Sequence, residues 1–562
     1  MTARCALASL ASLLAACSAT RTLLPVADAD TPPPVAPDAG ALDSGALDTG
    51  PAPRPTPPSC AAGEPPGPAP LADAVAYEVF VRGFRDGDAD GIGDLPGLTA
   101  KLDYLNDGDP ATTGDLGVTA LWLMPIHPSP SYHGYDVTDY RAVNPEYGTL
   151  ADLDALTAAA SKRGIRVILD LVANHTSNLH PWFQASKSSP DSSKRSWYVW
   201  RSDAPAWGRP WDPKAKVWHP AKQAYYYGVF SPDMPDLNYD TPDVRTEMLS
   251  VADFWVGHGV SGFRLDGARY LVETGPGEGQ ADTPGTHAFW KALRAHLAAT
   301  HPEVLLVGEV WTDVAKAATY VASDELHMVF GFDRAAGLRD ALRLGLAAPL
   351  AGKACGELDT LPTSGLGSFS ENHDLDRLAT EVPGDVAALR LAAALLLTLP
   401  GTPFLYYGQE LGMANDDAPG DMAKRGPMPW TESAAGVAPV SAQAADPDSL
   451  LSLYRQLVRL RSDLPALSRG GMGRIPVTSG GGAVLAYLRT TAASRALVVA
   501  NLGRKAVDGV VLDLGGAGLP SPLKAVSRLG RTIPGPVGGA GSWPLGSLGP
   551  REFAVVELMP GE

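Results

Sequence analysis

Cysteines are scarce in this sequence, and acidic residues outnumber basic ones. Only four cysteines occur among 562 residues, at Cys5, Cys17, Cys60 and Cys355. Their number excludes a disulfide scaffold, and the lack of a CxxC pair argues against structural zinc. Lys and Arg total 45 against 62 for Asp and Glu, a formal net charge of −17. This balance excludes a globally basic surface, so we expect no nucleic-acid partner.

Hydrophobic runs long enough to span a bilayer are also lacking. The run CALASLASLLAA near the amino terminus is too short for a mature transmembrane helix and has the length of an export signal. Its end, LAAC, resembles a bacterial lipobox, which implies cleavage before Cys17 and lipid attached to that cysteine. We therefore expect residues 1–16 to be a signal peptide and the protein to be lipid-anchored to the cell envelope or surface, with release outside the cell also open. An ordinary cleaved signal with an incidental cysteine is the alternative.

Residues 17–72 are rich in Pro, Ala, Gly, Asp and Thr and contain almost no aromatic residue. Such a segment buries too little apolar area to offset its ordering entropy, so the composition predicts an extended tether. Cys60 lies in this segment, and an oxidising compartment would allow it to pair with Cys355. The sequence does not decide whether the two cysteines are close.

Eight short apolar runs follow residue 73, with amphipathic segments between them. Runs rich in Val, Ile, Leu and Phe without alternation are typical of strands buried on both faces, and the segments between them predict crossover helices. Eight such units predict an α/β fold of the (β/α)8 TIM-barrel type. A long Trp- and Tyr-rich gap after the third strand predicts an inserted subdomain, and short Gly- and Pro-broken runs at the end predict an antiparallel β-sandwich. The expected boundaries are 73–175 and 240–467 for the barrel, 176–239 for the subdomain and 468–562 for the sandwich.

Three carboxylates end or follow predicted barrel strands, where active sites of such barrels lie. Asp266 ends the fourth strand, Glu309 ends the fifth, and Asp374 follows the seventh. Any one of them alone is more often a capping or salt-bridged residue. Arg264 shares a strand face with Asp266, so we expect the guanidinium to keep that carboxylate ionised. Cleavage of a glycosidic bond requires two carboxyl groups, one ionised as the nucleophile and one protonated as the acid.

The ordered segments DLVANH, GFRLDGAR, GEVW and SENHD resemble four motifs of the α-amylase family of glycoside hydrolases, family 13. The resemblance covers residues 73–562. It implies that Asp266 is the nucleophile of a retaining mechanism, Glu309 the general acid/base, and Asp374 the carboxylate that grips the sugar in the transition state. It also implies that the sugar site is lined by further residues: Arg264, His175, His373, Tyr135 and His133.

The loop from Asp86 to Asp94 alternates carboxylates with glycines, a pattern that can wrap oxygen ligands around a hard cation. It lacks the final glutamate of an EF-hand. The loop is similar to the calcium loop of oligo-1,6-glucosidase-like family members, which implies Ca²⁺ as cofactor with these ligands: Asp86, Asp88, Asp90, the Ile92 carbonyl and Asp94. A solvated acidic turn is the alternative. The family's other calcium site uses the asparagine that matches Asn174, and its partners are not recognisable in the sequence.

The segment MPDLN, from Met234 to Asn238, is similar to a signature between the oligo-1,6-glucosidase and neopullulanase types. It favours an α-amylase acting on α-1,4 bonds of starch, glycogen or maltooligosaccharides. Asp136 and Arg425 match residues that close the sugar site in exo-acting relatives, so an α-glucosidase or transglycosylase on short sugars stays open. An inactive sugar-binding surface protein is the alternative of another class. The tether leaves no room for the amino-terminal domain of dimeric relatives, so we expect a monomer.

Overall fold

The structure is a computed structural model that describes residues 71, 73–433, 436–519, 521–535 and 541–561. The predictions for the signal peptide, for Cys17 and for Cys60 lie outside these residues. Cys355 is disulfide-bonded and buried on the helix Ala348–Thr360. Within the described ranges, no helix combines the length and the apolar character needed to cross a membrane.

Eight parallel strands close into a barrel, as the apolar runs predict. Each strand pairs with its neighbours in chain order, and the first pairs with the last. All residues of these strands are buried except one at the start of the third, because helices cover the barrel outside and side chains fill it inside. The strands are β1 (Ala76–Val79), β2 (Ala120–Leu123), β3 (Arg166–Leu171), β4 (Gly262–Leu265), β5 (Leu305–Gly308), β6 (Met328–Phe330), β7 (Leu366–Ser368) and β8 (Thr402–Tyr406).

Several helices around the barrel follow a residue whose side chain accepts a hydrogen bond from a backbone N–H of the first turn. Thr149 and Asp152 form a reciprocal capping box at the start of Leu150–Lys162, which explains why the segment LADLDALTAAASK is helical there. Pro242 and Pro284 stand at the first position of their helices, where a missing N–H does no harm. The principal helices are Leu95–Thr99, Leu102–Leu105, Leu150–Lys162, Pro242–Gly257, Pro284–Thr300, Val314–Thr319, Phe332–Leu344, Ala348–Thr360, Val386–Thr398 and Leu450–Asp463.

The segment between β3 and β4 contains small antiparallel sheets and many aromatic contacts. It begins with the helix Pro181–Ser188, and its strands are Trp200–Arg201, Gly208–Arg209, Asp212–Lys216, Trp218–Ala221 and Ala224–Tyr227. Isolated bridges from His175 to Asp236 and from Tyr198 to Leu237 bring its end back beside its beginning. This segment therefore lies where β3 ends, at the carboxyl-terminal mouth of the barrel.

Two antiparallel sheets, of five and of three strands, follow the barrel and enclose their own apolar core. The predicted boundary after residue 467 falls inside the helix Pro465–Arg469, and the first strand of the sheets is Gly471–Arg474. The buried Arg489 guanidinium donates to the carbonyls of Thr398, Gly470 and Gly471 and so ties this unit to the barrel. The other strands are Val477–Ser479, Val484–Thr490, Arg495–Asn501, Val507–Asp513, Leu523–Gly530, Ser542–Leu548 and Phe553–Pro560.

Candidate active site

The three predicted carboxylates meet at the carboxyl-terminal mouth of the barrel. Asp266 directly follows β4, and its backbone N–H donates to Leu171 of β3 at 3.2 Å. Glu309 directly follows β5, and its N–H donates to Leu265 of β4 at 3.0 Å. These bonds continue the strand ladder by one residue, so both side chains are carried by rigid elements. Asp374 lies in the loop after β7.

One guanidinium, that of Arg264 on β4, contacts three carboxylates. Its nitrogens lie 2.6 Å from Asp266 Oδ1, 2.9 Å from Glu309 Oε2 and 3.0 Å from Asp170 Oδ1. Arg264 is opposite Asp170 in the β3–β4 register, so strand pairing places these two side chains at the same level of the barrel. The backbone N–H of Gly267 also donates to Glu309 Oε2 at 2.9 Å. The nucleophile and acid/base candidates are therefore neighbours held by one cation.

The pKa of Asp266 does not follow the expectation that Arg264 keeps this carboxylate ionised. Burial raises the pKa of Asp266 well above its ordinary value, Glu309 and Asp170 raise it further, and Arg264 lowers it. Arg264 therefore acts in the expected direction, but burial outweighs it. Burial also raises the pKa of Asp170 to about 6, against the opposing influence of Arg264. The guanidinium limits the cost of collecting carboxylates in a buried site.

Asp374 is held between two cationic side chains. Its Oδ2 lies 3.0 Å from Nε2 of His373, and its Oδ1 lies 3.4 Å from a guanidinium nitrogen of Arg425. Burial raises the pKa of Asp374, but His373, Arg425 and Arg264 lower it more, so the carboxyl stays ionised far below neutral pH. Burial lowers the pKa of His373, and Asp374 and Glu78 more than reverse this, to about 10.

The predicted aromatic and histidine residues surround these carboxylates. Tyr135 stacks on His373 with ring centroids 5.6 Å apart, and its hydroxyl donates to Asp170 at 3.1 Å. His133 also stacks on Tyr135, at 6.1 Å between ring centroids. His175 is buried with its Nε2 lacking a hydrogen-bond partner within the described residues. Burial lowers its pKa to about 3, so the ring is neutral and its Nε2 is able to hydrogen-bond a ligand.

The structure does not bring Asp136 and Arg425 together as a pair. Asp136 accepts hydrogen bonds from the hydroxyls of Ser129 and Ser131 on its own loop. Arg425 donates to the His373 carbonyl at 3.2 Å and contacts Asp374 instead. No ion pair joins Asp136 to Arg425, both of which are described residues.

Sequence reasoning assigned no role to Glu78 or to Asp170, although both face the site. Asp170 accepts hydrogen bonds from Trp122 at 3.3 Å and from Tyr135 and Arg264. Glu78 accepts from His373 Nδ1 at 2.5 Å. One sequence feature could have identified them: each is the one carboxylate in a predicted barrel strand that consists mostly of apolar residues. Such a residue needs a buried partner.

Part of the predicted calcium loop gathers into a candidate cation site. Oxygens of Asp86, Asp88 and Asp94 lie within 4.8 Å of one another. Asp90 is outside this group, and its Oδ1 accepts from the Ile92 N–H at 2.7 Å. The Ile92 carbonyl stays a predicted ligand. A hydrogen bond from Gly91 N–H and further backbone bonds lower the pKa of Asp86. Three close carboxylates fit a hard divalent cation.

A second polar cluster lies where the inserted segment meets β3. The side-chain oxygens Asn174 Oδ1 and Asp236 Oδ2 are both buried without a hydrogen-bond partner in the described part of the chain. Burial raises the pKa of Asp236, and the nearby Glu273 raises it further. Burial likewise raises the pKa of Glu273 to about 8. Oxygen atoms left in this state would fit a cation. The sequence did not reveal Asp236 as a partner of Asn174, nor Glu273 as a neighbour of Asp236.

Comparison with known proteins agrees with this geometry. A model of the α-amylase catalytic domain matches residues 78–470. Alpha-amylase 3 of Dictyoglomus thermophilum is 37% identical over 455 residues, covering 77% of this chain and 85% of that protein. The trehalose synthase/amylase TreS of Mycobacterium tuberculosis is 34% identical over 502 residues, covering 77% and 82%. The crystal structure of the α-amylase from H. orenii has a TM-score of 0.75 and 34% identity, covering 86% and 99%. Because the catalytic-domain match spans well over half of the chain, and relatives above 30% identity align along most of it, the chain belongs to the α-amylase family and is a glycoside hydrolase.

Proposed function

We propose that this protein hydrolyses internal α-1,4-glucosidic bonds of starch, glycogen or maltooligosaccharides by a retaining mechanism. The observation that carries the proposal is the bridging of Asp266 and Glu309 by Arg264 at the barrel mouth. Retaining enzymes need their two carboxyl groups only about 5–5.5 Å apart, whereas inverting enzymes leave about 6.5–9.5 Å for a water molecule. Two carboxylates on one guanidinium favour the shorter separation.

Each step of the proposed mechanism uses a group of this site. Asp266 attacks the anomeric carbon while Glu309 protonates the leaving oxygen, which forms a covalent glycosyl-enzyme. Glu309 then removes a proton from water, and the water attacks the same carbon to release the sugar with its configuration retained. Asp374, kept ionised by His373 and Arg425, accepts hydrogen bonds from sugar hydroxyls and stabilises the positive charge of the transition state. The neutral His175 ring donates or accepts at a further hydroxyl.

Endo attack requires room for glucose units on both sides of the bond that is cut. A pair formed by Asp136 and Arg425 would close one side, as in exo-acting relatives. Here the serine hydroxyls hold Asp136, and Asp374 engages Arg425. This arrangement supports endo action. The MPDLN segment supports a specificity between oligoglucosidase and neopullulanase types.

The decisive test is a time course of products from soluble starch and from maltotriose. Early mixed oligosaccharides with the α configuration are the expected result. The variant Asp266→Asn serves as the background control, because it removes the nucleophile and keeps a side chain of similar size. Glucose alone, or β-configured products, would overturn the proposal.

A transglycosylase or α-glucosidase on short α-glucosides is the second candidate. Its support is the 34% identity to a protein named trehalose synthase/amylase, aligned over 82% of that protein. Incubation with maltose separates the two candidates. Accumulation of a disaccharide isomer without net hydrolysis would favour the second one, and an enzyme that leaves maltose intact but shortens starch would favour the first. Retention on starch without any cleavage would instead favour a sugar-binding protein.

Calcium is proposed as the resident cation of this protein. Asp86, Asp88 and Asp94 would supply carboxylate oxygens at the loop after β1, and Asn174 with Asp236 would supply the oxygens of a second site. Bound there, Ca²⁺ would hold the two loops in place and neutralise charge that the folded state otherwise concentrates.

Export and lipid attachment at Cys17 are proposed on the sequence pattern alone. Mass spectrometry of the protein extracted from membranes tests this: a diacylglyceryl group on an amino-terminal Cys17 is expected. A soluble mature chain that begins elsewhere would contradict it.

A further inference from the structure

Glu78 is an acidic residue in the middle of β1, in the sequence AYEV, and it is 1% exposed. An isolated carboxylate inside a barrel is strongly unfavourable unless a charged or donor group faces it. In this structure the facing group is His373, which is 295 positions away in the chain and also 1% exposed. Its Nδ1 lies 2.5 Å from Glu78 Oε1, and its backbone N–H donates to the same oxygen at 3.4 Å.

The imidazole of His373 has a carboxylate at each ring nitrogen. Glu78 faces Nδ1, and Asp374 faces Nε2 at 3.0 Å. A neutral imidazole carries only one N–H, so it would turn a lone pair toward one of the two carboxylates. The imidazolium carries two and donates to both. The geometry therefore selects the cation.

The other groups around His373 are compatible with this charge. The Tyr135 hydroxyl, from the loop after β2, lies 2.7 Å from Nε2, and the Trp122 ring of β2 lies 5.6 Å away between centroids. Asp170 of β3 and Arg264 of β4 act on the site electrostatically, and Arg425, from the loop after β8, donates to the His373 carbonyl. Carboxylates outnumber guanidinium groups in this cluster. A positive charge on His373 therefore lowers the repulsion between the carboxylates.

We propose that Glu78 is a positioning residue of the glycosidase reaction: it holds His373 as an imidazolium, which in turn fixes and keeps ionised the Asp374 carboxylate that grips the sugar. Glu78 touches His373 from the side opposite Asp374, so it acts through His373. The inference rests on the proposed role of Asp374, but the charge of His373 can be measured without any substrate.

The test is a pH titration of the full chain labelled with ¹⁵N-histidine and observed by NMR. The variant His373→Asn identifies the His373 signals. In the wild type we expect both ring nitrogens protonated at pH 8. In Glu78→Gln, which keeps the size of the side chain and removes its charge, we expect the midpoint to fall by at least about one pH unit, since a close opposite charge shifts a pKa by about 1–3 units.

Glu410→Gln is the matched control. Glu410 is an equally buried glutamate, held by the hydroxyls of Tyr77 at 2.7 Å and Tyr104 at 2.6 Å. Its replacement should leave the His373 midpoint unchanged. Glu78→Asp, which keeps the charge, should move the midpoint less than Glu78→Gln.

Kinetics supply the second readout. The alkaline limb of the kcat/KM profile should move to lower pH in Glu78→Gln and stay in place in Glu410→Gln. A neutral His373 in the wild type at pH 7, or equal midpoints in wild type and Glu78→Gln, would overturn the inference. If Glu78→Gln fails to fold, the wild-type titration still tests the inference, because it shows whether His373 is an imidazolium. An imidazolium measured in a protein that cleaves no glucan would leave this inference standing and refute the proposed function.

Discussion

Replacement of Arg264 by Lys tests the electrostatic design of the site most directly. The guanidinium contacts Asp266 at 2.6 Å, Glu309 at 2.9 Å and Asp170 at 3.0 Å, and a single ammonium can satisfy only part of this set. Hydrogen bonds to charged groups contribute about 1.5–3 kcal/mol each, so loss of two of them removes roughly 3–6 kcal/mol. If between half and all of this is lost from the stabilisation of the transition state, kcat/KM falls by roughly 10- to 10⁴-fold, at about 1.4 kcal/mol for each factor of ten.

The same substitution changes the pH dependence in a known direction. Asp266 must be ionised to attack, so activity is lost as pH falls through its pKa. Arg264 lowers that pKa against burial, which raises it. Weakening the guanidinium contact therefore moves the acid limb of kcat/KM to higher pH.

Initial rates on maltooligosaccharides between pH 4 and pH 9 measure the fall in kcat/KM and the shift of the acid limb. Urea unfolding shows whether the variant also loses stability. Arg334→Lys is the control, because Arg334 forms a buried pair with Glu357 at 2.7 Å away from the cluster. It should lower stability without moving the acid limb. Arg264→Lys activity within threefold of wild type, with an unchanged acid limb, would refute the reasoning.

Three further predictions follow from the same geometry. Asp266→Asn and Glu309→Gln should each lower turnover by several orders of magnitude and leave the unfolding midpoint nearly unchanged; near-normal rates would contradict their roles. Removal of bound metal with a chelator should lower the melting temperature, because a cation at 100 times its Kd stabilises the folded state by about 2.7 kcal/mol. Asp86→Asn should make the drop in melting temperature smaller, since only the site formed by Asn174 and Asp236 would still lose a cation. Equal melting curves with and without metal would contradict the calcium proposal. The folded state raises the pKa of His373 from an ordinary 6.5 to about 10, so its contribution to stability is complete below about pH 6.5 and is lost as pH rises through about 10. Unfolding free energies of His373→Asn should accordingly fall less between pH 7 and pH 10 than those of wild type, and parallel curves would exclude the ion pair.

The sequence determined the barrel and the positions of its acidic residues. Runs such as IRVILDLV show no alternation of apolar and polar residues, which predicts strands buried on both faces, and the strand β3 follows this expectation. The segment LADLDALTAAASK contains its own capping box, which makes its helix a local property. Asp266 and Glu309 stand one residue beyond β4 and β5, so the closure of the barrel places them side by side.

Tertiary structure alone decided which partners those acidic residues acquire. Glu78 and His373 meet only because β1 and the loop after β7 face the same barrel interior, and no local pattern records such a contact. Asp136 has the residue type found in an exo-acting site. Its carboxylate nevertheless accepts hydrogen bonds from two nearby serine hydroxyls, and Arg425 contacts Asp374. In the calcium loop the backbone path groups Asp94 with Asp86 and leaves Asp90 to its own turn. Residue type and spacing thus set the chemistry that was available, and the direction of each side chain, which depends on packing between distant segments, set the contacts that formed.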